Sequence, residues 1–172
     1  DGAVTSPRKK RAPRAQTGGK GRREGLMSLE PEALFRLGNM TAMIGWAVLI
    51  FLPRRFPLLL AVPKFAIPSL LALAYGGLML TKFFTVEGGG YSSIEQVSAL
   101  FSVKEVLVAG WLHYLAFDLF VGVWIAERSD EARIPRIIQA VFLIATFMFG
   151  PVGLLLYLVT RGSLAAMGAR RA

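Results

Sequence analysis

A lone histidine and an aspartate, His113 and Asp118, stand five positions apart inside the apolar run "AGWLHYLAFDLFVGVW". An imidazole can take or give a proton near neutral pH, or ligate a metal. A carboxyl kept neutral by apolar surroundings can act as a proton donor. Placing either group in charged form at the centre of a bilayer costs at least ~2.5–3.5 kcal/mol. Each must therefore be neutral or paired with something beside it.

At about 1.5 Å and 100° per residue, the two groups sit about 7–8 Å apart along a helix axis and point about 140° apart. They do not share a face. Asp118 shares its face with Trp111, Tyr114, Gly122 and Ile125, and His113 with Ala109, Gly110, Ala116 and Phe117. Each needs a partner on another helix, on a bound molecule or on a neighbouring chain. Where Asp118 only hydrogen-bonds a tyrosine or a freed backbone amide, its role is to hold helices together. Where a ligand is involved, Trp111, Tyr114, Phe117, Phe120, Phe147 and Phe149 could line a groove for a flat apolar molecule. Tyr75-Gly76-Gly77 would add a hydroxyl and small residues at membrane depth, which permit close helix contact. Pro151 has no N–H to offer the Phe147 carbonyl, so "FMFGPVG" predicts a kink with space beside it.

The elements that must hold these groups are long and apolar. More than half of the 172 residues are apolar and 18% are charged, which suits a membrane protein better than a soluble domain. The fold class expected is all-α: an integral membrane protein with four transmembrane helices. The spans run from Leu34 to Leu52, from near Pro68 to Phe84, from Val103 to Ala126, and from Pro135 to Val159. "SLEPE" before the first offers Ser28 as an N-cap. Prolines 57, 63 and 68 leave the start of the second open, with Pro68 suited to a first turn. Between spans two and three, "VEGGGYSSIEQVSALFS" contains a Ser93–Gln96 capping box, then Ile94, Val97, Leu100 and Phe101 at helical spacing. That pattern predicts a short amphipathic helix on the membrane surface.

The transmembrane domain covers residues 27–162, followed by a short basic tail, 163–172. Residues 1–26 form a separate tail rich in Gly, Pro and basic residues. Its first 25 residues carry eight Lys/Arg against Asp1 and Glu24, a net of +6 out of +9 for the chain. Such a segment is disordered alone and suits anionic lipid or a partner subunit. "RKKR" resembles a nucleic-acid-contacting run, but a membrane domain follows it and no nucleic-acid partner is expected. Excluding the tail, six Lys/Arg fall on each side of a four-span bundle. The tail then places both termini on the cytoplasmic or stromal side. The chain begins with Asp, and its basic, acid-poor leader fits organelle import.

Some chemistries are excluded. With no cysteine there is no thiolate site, and one histidine cannot build a histidine-rich di-iron centre or a bis-histidine haem from a single copy. No H-E-x-x-H, P-loop, dinucleotide glycine pattern or serine elbow occurs. No protein-held metal is expected.

From Met27 onward the chain resembles the neoxanthin-synthase family, known from a plant abscisic-acid-deficiency membrane protein and its bacterial relatives. The likeness rests on "GGGYSSIEQVSALFS", "AGWLHYLAFDLFVGVW" and "IPRIIQAVFLIATFMFGPVGLLLYL". It implies a four-helix membrane protein, plastidial in plants, linked to conversion of violaxanthin to neoxanthin with no established cofactor. His113, Asp118, Tyr75 and Gly150-Pro151 match the family motif. Val123 stands where plant and cyanobacterial relatives carry Arg.

Two functions follow. In one, the protein is an enzyme that opens a xanthophyll epoxide to an allenic alcohol. A protonated Asp118 donates and a neutral His113 accepts, while Tyr75, Trp111, His113, Tyr114, Phe117, Phe149 and Pro151 bind the carotenoid and no cofactor is required. In the other, it is a non-catalytic subunit of a photosystem or antenna complex, docked through the basic tail, with His113 ligating a chlorophyll magnesium. The setting in either case is a thylakoid or envelope membrane, or the bacterial inner membrane for a prokaryotic chain.

Overall fold

A computed structural model describes residues 30–169. The expectations for the N-terminal tail, for Ser28 and for the last three residues lie outside the described part. Among the described residues the structure is all helical. Helix α1 is Pro31–Phe51, α2 is Pro57–Thr85, α3 is Ile94–Phe101, α4 is Lys104–Glu131, α5 is Arg136–Phe149 and α6 is Pro151–Ala169. Three of them, α1, α2 and α4, are long and apolar enough to cross a membrane.

Helix α2 starts at Pro57, eleven residues earlier than its last proline, Pro68, suggests. Pro57 occupies the first turn, where its missing N–H costs nothing. The chain then widens into a π-helical turn, Val62–Ala66, around Pro63 before resuming as α-helix at Ile67. A π turn relocates the carbonyls that proline would orphan, so three prolines fit one continuous helix.

Helix α4 is the axis of the molecule. Helix α1 runs parallel to it: Gly38 lies against Leu112, Gly45 against Leu119, and Gly122 of α4 against the Trp46 ring. Helix α2 runs antiparallel, with Lys64–Glu127 (2.6 Å) at one end and Lys82–Glu105 (3.1 Å) at the other. Glu105 and Glu127 are about 33 Å apart along α4, close to a ~30 Å hydrocarbon core. The rim charges thus bracket an apolar slab.

The fourth apolar stretch is not a span. It is a hairpin. Gly150 takes φ +51, a conformation open to glycine, and Pro151 starts a new helix. Across the turn, the rings of Phe142 and Tyr157 lie 5.9 Å apart; fifteen residues of unbroken helix would separate them by about 22 Å. Gly153 packs directly onto the backbone of Phe142 and Thr146. Fully buried Tyr157 also meets Trp124 (5.5 Å) and accepts a hydrogen bond from Arg161 (2.8 Å). Trp124 belongs to the C-terminal half of α4, so α6 returns toward the end where α5 began. Of the four crossings expected, three correspond to helices long and apolar enough among the described residues, and the fourth stretch folds back on itself. Pro31 and the end of α6 lie at opposite ends of the bundle, because glycine and proline reverse the chain where a proline alone would bend it.

The end of the bundle bearing the α1–α2 and α4–α5 connections is tightly sewn. Arg54, with 7% of its side chain exposed, donates to the Ala126 carbonyl (2.9 Å), Asp130 (2.8 Å) and Gln139 (2.6 Å). Buried Gln139 donates in turn to Asp130 and to the Ile134 carbonyl, and Arg136 reaches the Leu52 carbonyl. The opposite end carries α3. Its Ser93 cap accepts from the Gln96 amide (3.3 Å), while the Gln96 side chain takes the Ser92 amide instead of that of Ser93.

Candidate functional site

The two ionisable groups of α4 serve different flanks. His113 is exposed and points along the α2–α4 seam. It stacks on Phe117 (4.4 Å between ring centres, 26° between planes) and faces Tyr75 of α2 at 5.3 Å. Above this group, toward α3, is a cleft of about 240 Å³ bounded by Tyr75, Met79, Tyr91, Phe101, Gly110 and His113. Below it is a second, of about 350 Å³, bounded by Phe65, Pro68, Ser69, Ala72, Phe117 and Phe120. The His113–Phe117 stack lies between the two clefts, which line up along the same α2–α4 flank; together they are called the furrow. Along α4 it runs from Val106 to Phe120, about 21 Å. Its roof is α3, whose Phe101 ring lies on Gly110, where any side chain would displace it.

The glycines beside Tyr75 do not make a helix contact. Nothing lies within 4 Å of where a Cβ on Gly76 or Gly77 would be. They keep the surface of α2 low instead, and Gly77 opens onto a third recess, about 860 Å³, between α1 and α2.

Asp118 occupies the other flank, at the tip of the hairpin. Its two carboxyl oxygens stand 3.0 Å from where a side chain on Gly150 would begin. Counting from their shared end, Asp118 is thirteen residues up α4 from Glu131 and Phe149 thirteen up α5 from Arg136. The hairpin therefore stops at the depth of Asp118, about 20 Å in. Tyr114, one turn away on α4, brings its hydroxyl beside the carboxyl, yet Asp118 Oδ2 is buried without a hydrogen-bond partner. Further toward α3 the Trp111 Nε1 donates to Asn39 Oδ1 of α1 (2.8 Å), and the Trp111 ring lies tilted against Phe35 (5.7 Å) and Tyr114 (5.3 Å).

The structure thus splits the residues picked from the sequence. Tyr75, His113 and Phe117 come together on the α2–α4 flank. Trp111, Tyr114 and Asp118 come together between α1 and α4. Phe149 and Pro151 lie exposed at the hairpin tip. The proposed donor and acceptor, Asp118 and His113, are separated by the body of α4. Val123 is buried in the apolar core. The sequence reading places Gly110 on the His113 face and Phe101 on the surface helix without joining them, and it misses Asn39, whose signal is an amide within an apolar span. Among the described residues no three His, Asp or Glu converge as metal ligands.

The model of the ABA DEFICIENT 4-like family matches residues 33–157, more than half of the chain, and the chain belongs to that family. No curated protein and no solved structure matches it.

Proposed function

We propose that this member of the ABA DEFICIENT 4-like family is an integral membrane protein that holds a carotenoid in the α2–α4 furrow and isomerises it there. Helices α1, α2 and α4 cross the bilayer and the α5–α6 hairpin enters it from one side. The observation that carries the reading is the Tyr75–His113 pair, 5.3 Å apart, opening midway along an aromatic-lined furrow. A polyene is flat, rigid and as apolar as the lipid around it. A shallow furrow whose two walls each mix rings with small residues, Phe65, Ala72 and Tyr75 from α2 and Gly110, Ala116 and Phe117 from α4, fits such a rod.

The reaction is epoxide opening to an allenic alcohol. One C–O bond breaks, one proton leaves carbon and one proton reaches oxygen, with no net change in electrons. On this flank a neutral His113 is the base, and the Tyr75 hydroxyl is placed to give a proton to the epoxide oxygen. This replaces the Asp118–His113 pair with two groups that share a cleft. A plastid membrane is the setting consistent with the family.

A second reading draws on the exposure of His113 at membrane depth: its imidazole could ligate the magnesium of a chlorophyll in a non-catalytic pigment subunit. One preparation decides between the two. The full chain, expressed without pigment, is reconstituted in vesicles with violaxanthin. Conversion to the allenic product is expected, reduced at least ~100-fold in His113→Ala and Tyr75→Phe. Unchanged conversion in both variants refutes the mechanism. No conversion by the wild type, with chlorophyll retained at fixed ratio and lost in His113→Ala, selects the second reading.

A further inference from the structure

We infer a lipid site that is independent of the furrow: the recess between α1 and α2 seats one membrane lipid with a glycosyl head, its sugar on the charged rim and one acyl chain along Gly77.

The recess lies where two helices diverge. Helices α1 and α2 meet at mid-bundle, where a Cβ on Gly45 would lie 3.1 Å from Ile67 and one on Gly38 3.7 Å from Leu71. Past Gly38 and Leu71, toward the α3 end, a gap of about 860 Å³ opens between them, larger than either cleft of the furrow. Its apolar walls are Leu34 of α1 and Leu73, Ala74, Gly77 and Leu78 of α2. Gly77 keeps the gap clear, since nothing lies within 4 Å of a Cβ built there. Thr81 satisfies its hydroxyl within its own helix, on the Gly77 carbonyl (2.8 Å), so the wall below the rim asks for no polar partner. From Thr81 to Leu73 that wall descends about 12 Å, close to one leaflet of a ~30 Å hydrocarbon core. An extended acyl chain matches both its depth and its chemistry.

The rim selects the head. Glu30 and Glu32 at the start of α1, Lys82 of α2, and Lys104 and Glu105 of α4 surround the opening. Three carboxylates against two ammonium groups leave a net charge of −1, which repels an anionic head. Both ammonium groups are already paired, Lys104 with Glu32 (2.9 Å) and Lys82 with Glu105 (3.1 Å). A phosphate reaches either one only by displacing a carboxylate. A choline head has no N–H or O–H to offer the carboxylates. Sugar hydroxyls meet both kinds of group at once. They donate to the carboxylate lone pairs left over and accept from the ammonium N–H groups left over, and both ion pairs stay intact.

The full chain, purified in detergent without carotenoid, is offered equal mole fractions of monogalactosyldiacylglycerol, phosphatidylethanolamine, phosphatidylcholine and phosphatidylglycerol with the same acyl chains. Native mass spectrometry counts what each chain retains. One galactolipid per chain is expected, at about fivefold or more the occupancy of any phospholipid, the factor that one net hydrogen bond supplies. Gly77→Leu puts a side chain in the path of the acyl chain, at a position with no protein atom within 4 Å of the Cβ. It should cut galactolipid retention about tenfold, while thermal unfolding stays at or above that of the wild type because leucine is the better helix former. Glu32→Met together with Lys104→Met removes an exposed pair at constant net charge and should erase the preference for the sugar head. Three results each overturn the site: no lipid retained by the wild type, a phospholipid retained as well as the galactolipid, or a folded Gly77→Leu protein that holds the galactolipid as the wild type does. None of the three residues changed lines the α2–α4 furrow, so this result is separate from the violaxanthin assay.

Discussion

Replacing glycine by alanine within a helix normally stabilises it by roughly 1 kcal/mol, because glycine carries the larger conformational entropy in the unfolded chain. Helix α6 contains two glycines with opposite surroundings. Nothing lies within 4 Å of a Cβ built on Gly162, whereas one built on Gly153 runs into the Thr146 hydroxyl and into backbone atoms of Thr146 and Phe142. Side chains can swing away; the backbone of a buried helix cannot. Gly162→Ala should therefore raise stability by up to about 1 kcal/mol, and Gly153→Ala should lower it by about 1–3 kcal/mol through overpacking. The assay is thermal unfolding in detergent micelles followed by tryptophan fluorescence, since Trp124 rests edge-on against Tyr157 of α6. The geometry behind the sign can be measured directly by pulsed electron–electron spectroscopy between spin labels at Ile137→Cys and Gly162→Cys. Packed antiparallel helices put their axes about 10 Å apart, while one continuous helix would separate these positions by about 37 Å. A Gly153→Ala protein at least as stable as Gly162→Ala, together with a label distance beyond roughly 30 Å, would refute the hairpin.

Arg54→Ala should destabilise the protein by about 3 kcal/mol, the low end for breaking a buried ion pair because Asp130 is half exposed; Asp130→Asn should cost less, as chemical denaturation would register. Gly122→Ala should push the Trp46 ring (2.5 Å from the new Cβ) off its edge contact with Phe147, seen as a shift in tryptophan emission. Ser93→Ala should cost about 1 kcal/mol at the α3 cap and raise hydrogen exchange in Ile94–Phe101 before the other helices respond. Its own backbone N–H and the Ser93 hydroxyl hold the Glu95 carboxyl below its usual range. Its contribution to the α3 cap is thus present above the unfolded pKa of about 4.3 and is lost as pH falls through the lowered folded value, which carboxyl chemical shifts would track.

Much of this architecture is legible from local rules. A 3.6-residue repeat separates His113 from Asp118 by about 140°, and the structure puts them on opposite flanks of α4. The S-x-x-Q pattern marks the start of α3, with only the reciprocal bond displaced to Ser92. What local rules miss is set by distant contacts. "FMFGPVG" announces a break at Gly150-Pro151, but whether the break bends the chain or reverses it depends on what α6 can bury. Tyr157 finds Trp124 and Phe142, and Gly153 lets the two backbones touch. Tyr157 reads as one more ring in a greasy stretch until those partners are known. The start of α2 is hidden for a related reason. Three prolines look like breakers, and only the widened turn at Val62–Ala66 shows how one helix holds them.

The two ends of the bundle differ in how firmly they are held, and that difference bears on how a ligand gets in. At the hairpin's open end, half-buried Arg54 and exposed Arg136 tie backbone and side chains of α1, α4 and α5 together. At the other end, Glu32–Lys104 has side chains 61% and 74% exposed, a pair worth at most about 1 kcal/mol. Helix α3 is only eight residues long, and of these only Leu100 is buried. Local opening concentrates where few buried contacts oppose it. The cleft under α3 and the recess beside Glu32 both lie at this weaker end. Lifting α3 uncovers Gly110 and the top of the furrow without disturbing the Arg54 network. On the proposed function, this is the end at which a long apolar molecule would enter sideways from lipid, while the opposite end keeps α1, α2 and α4 in register.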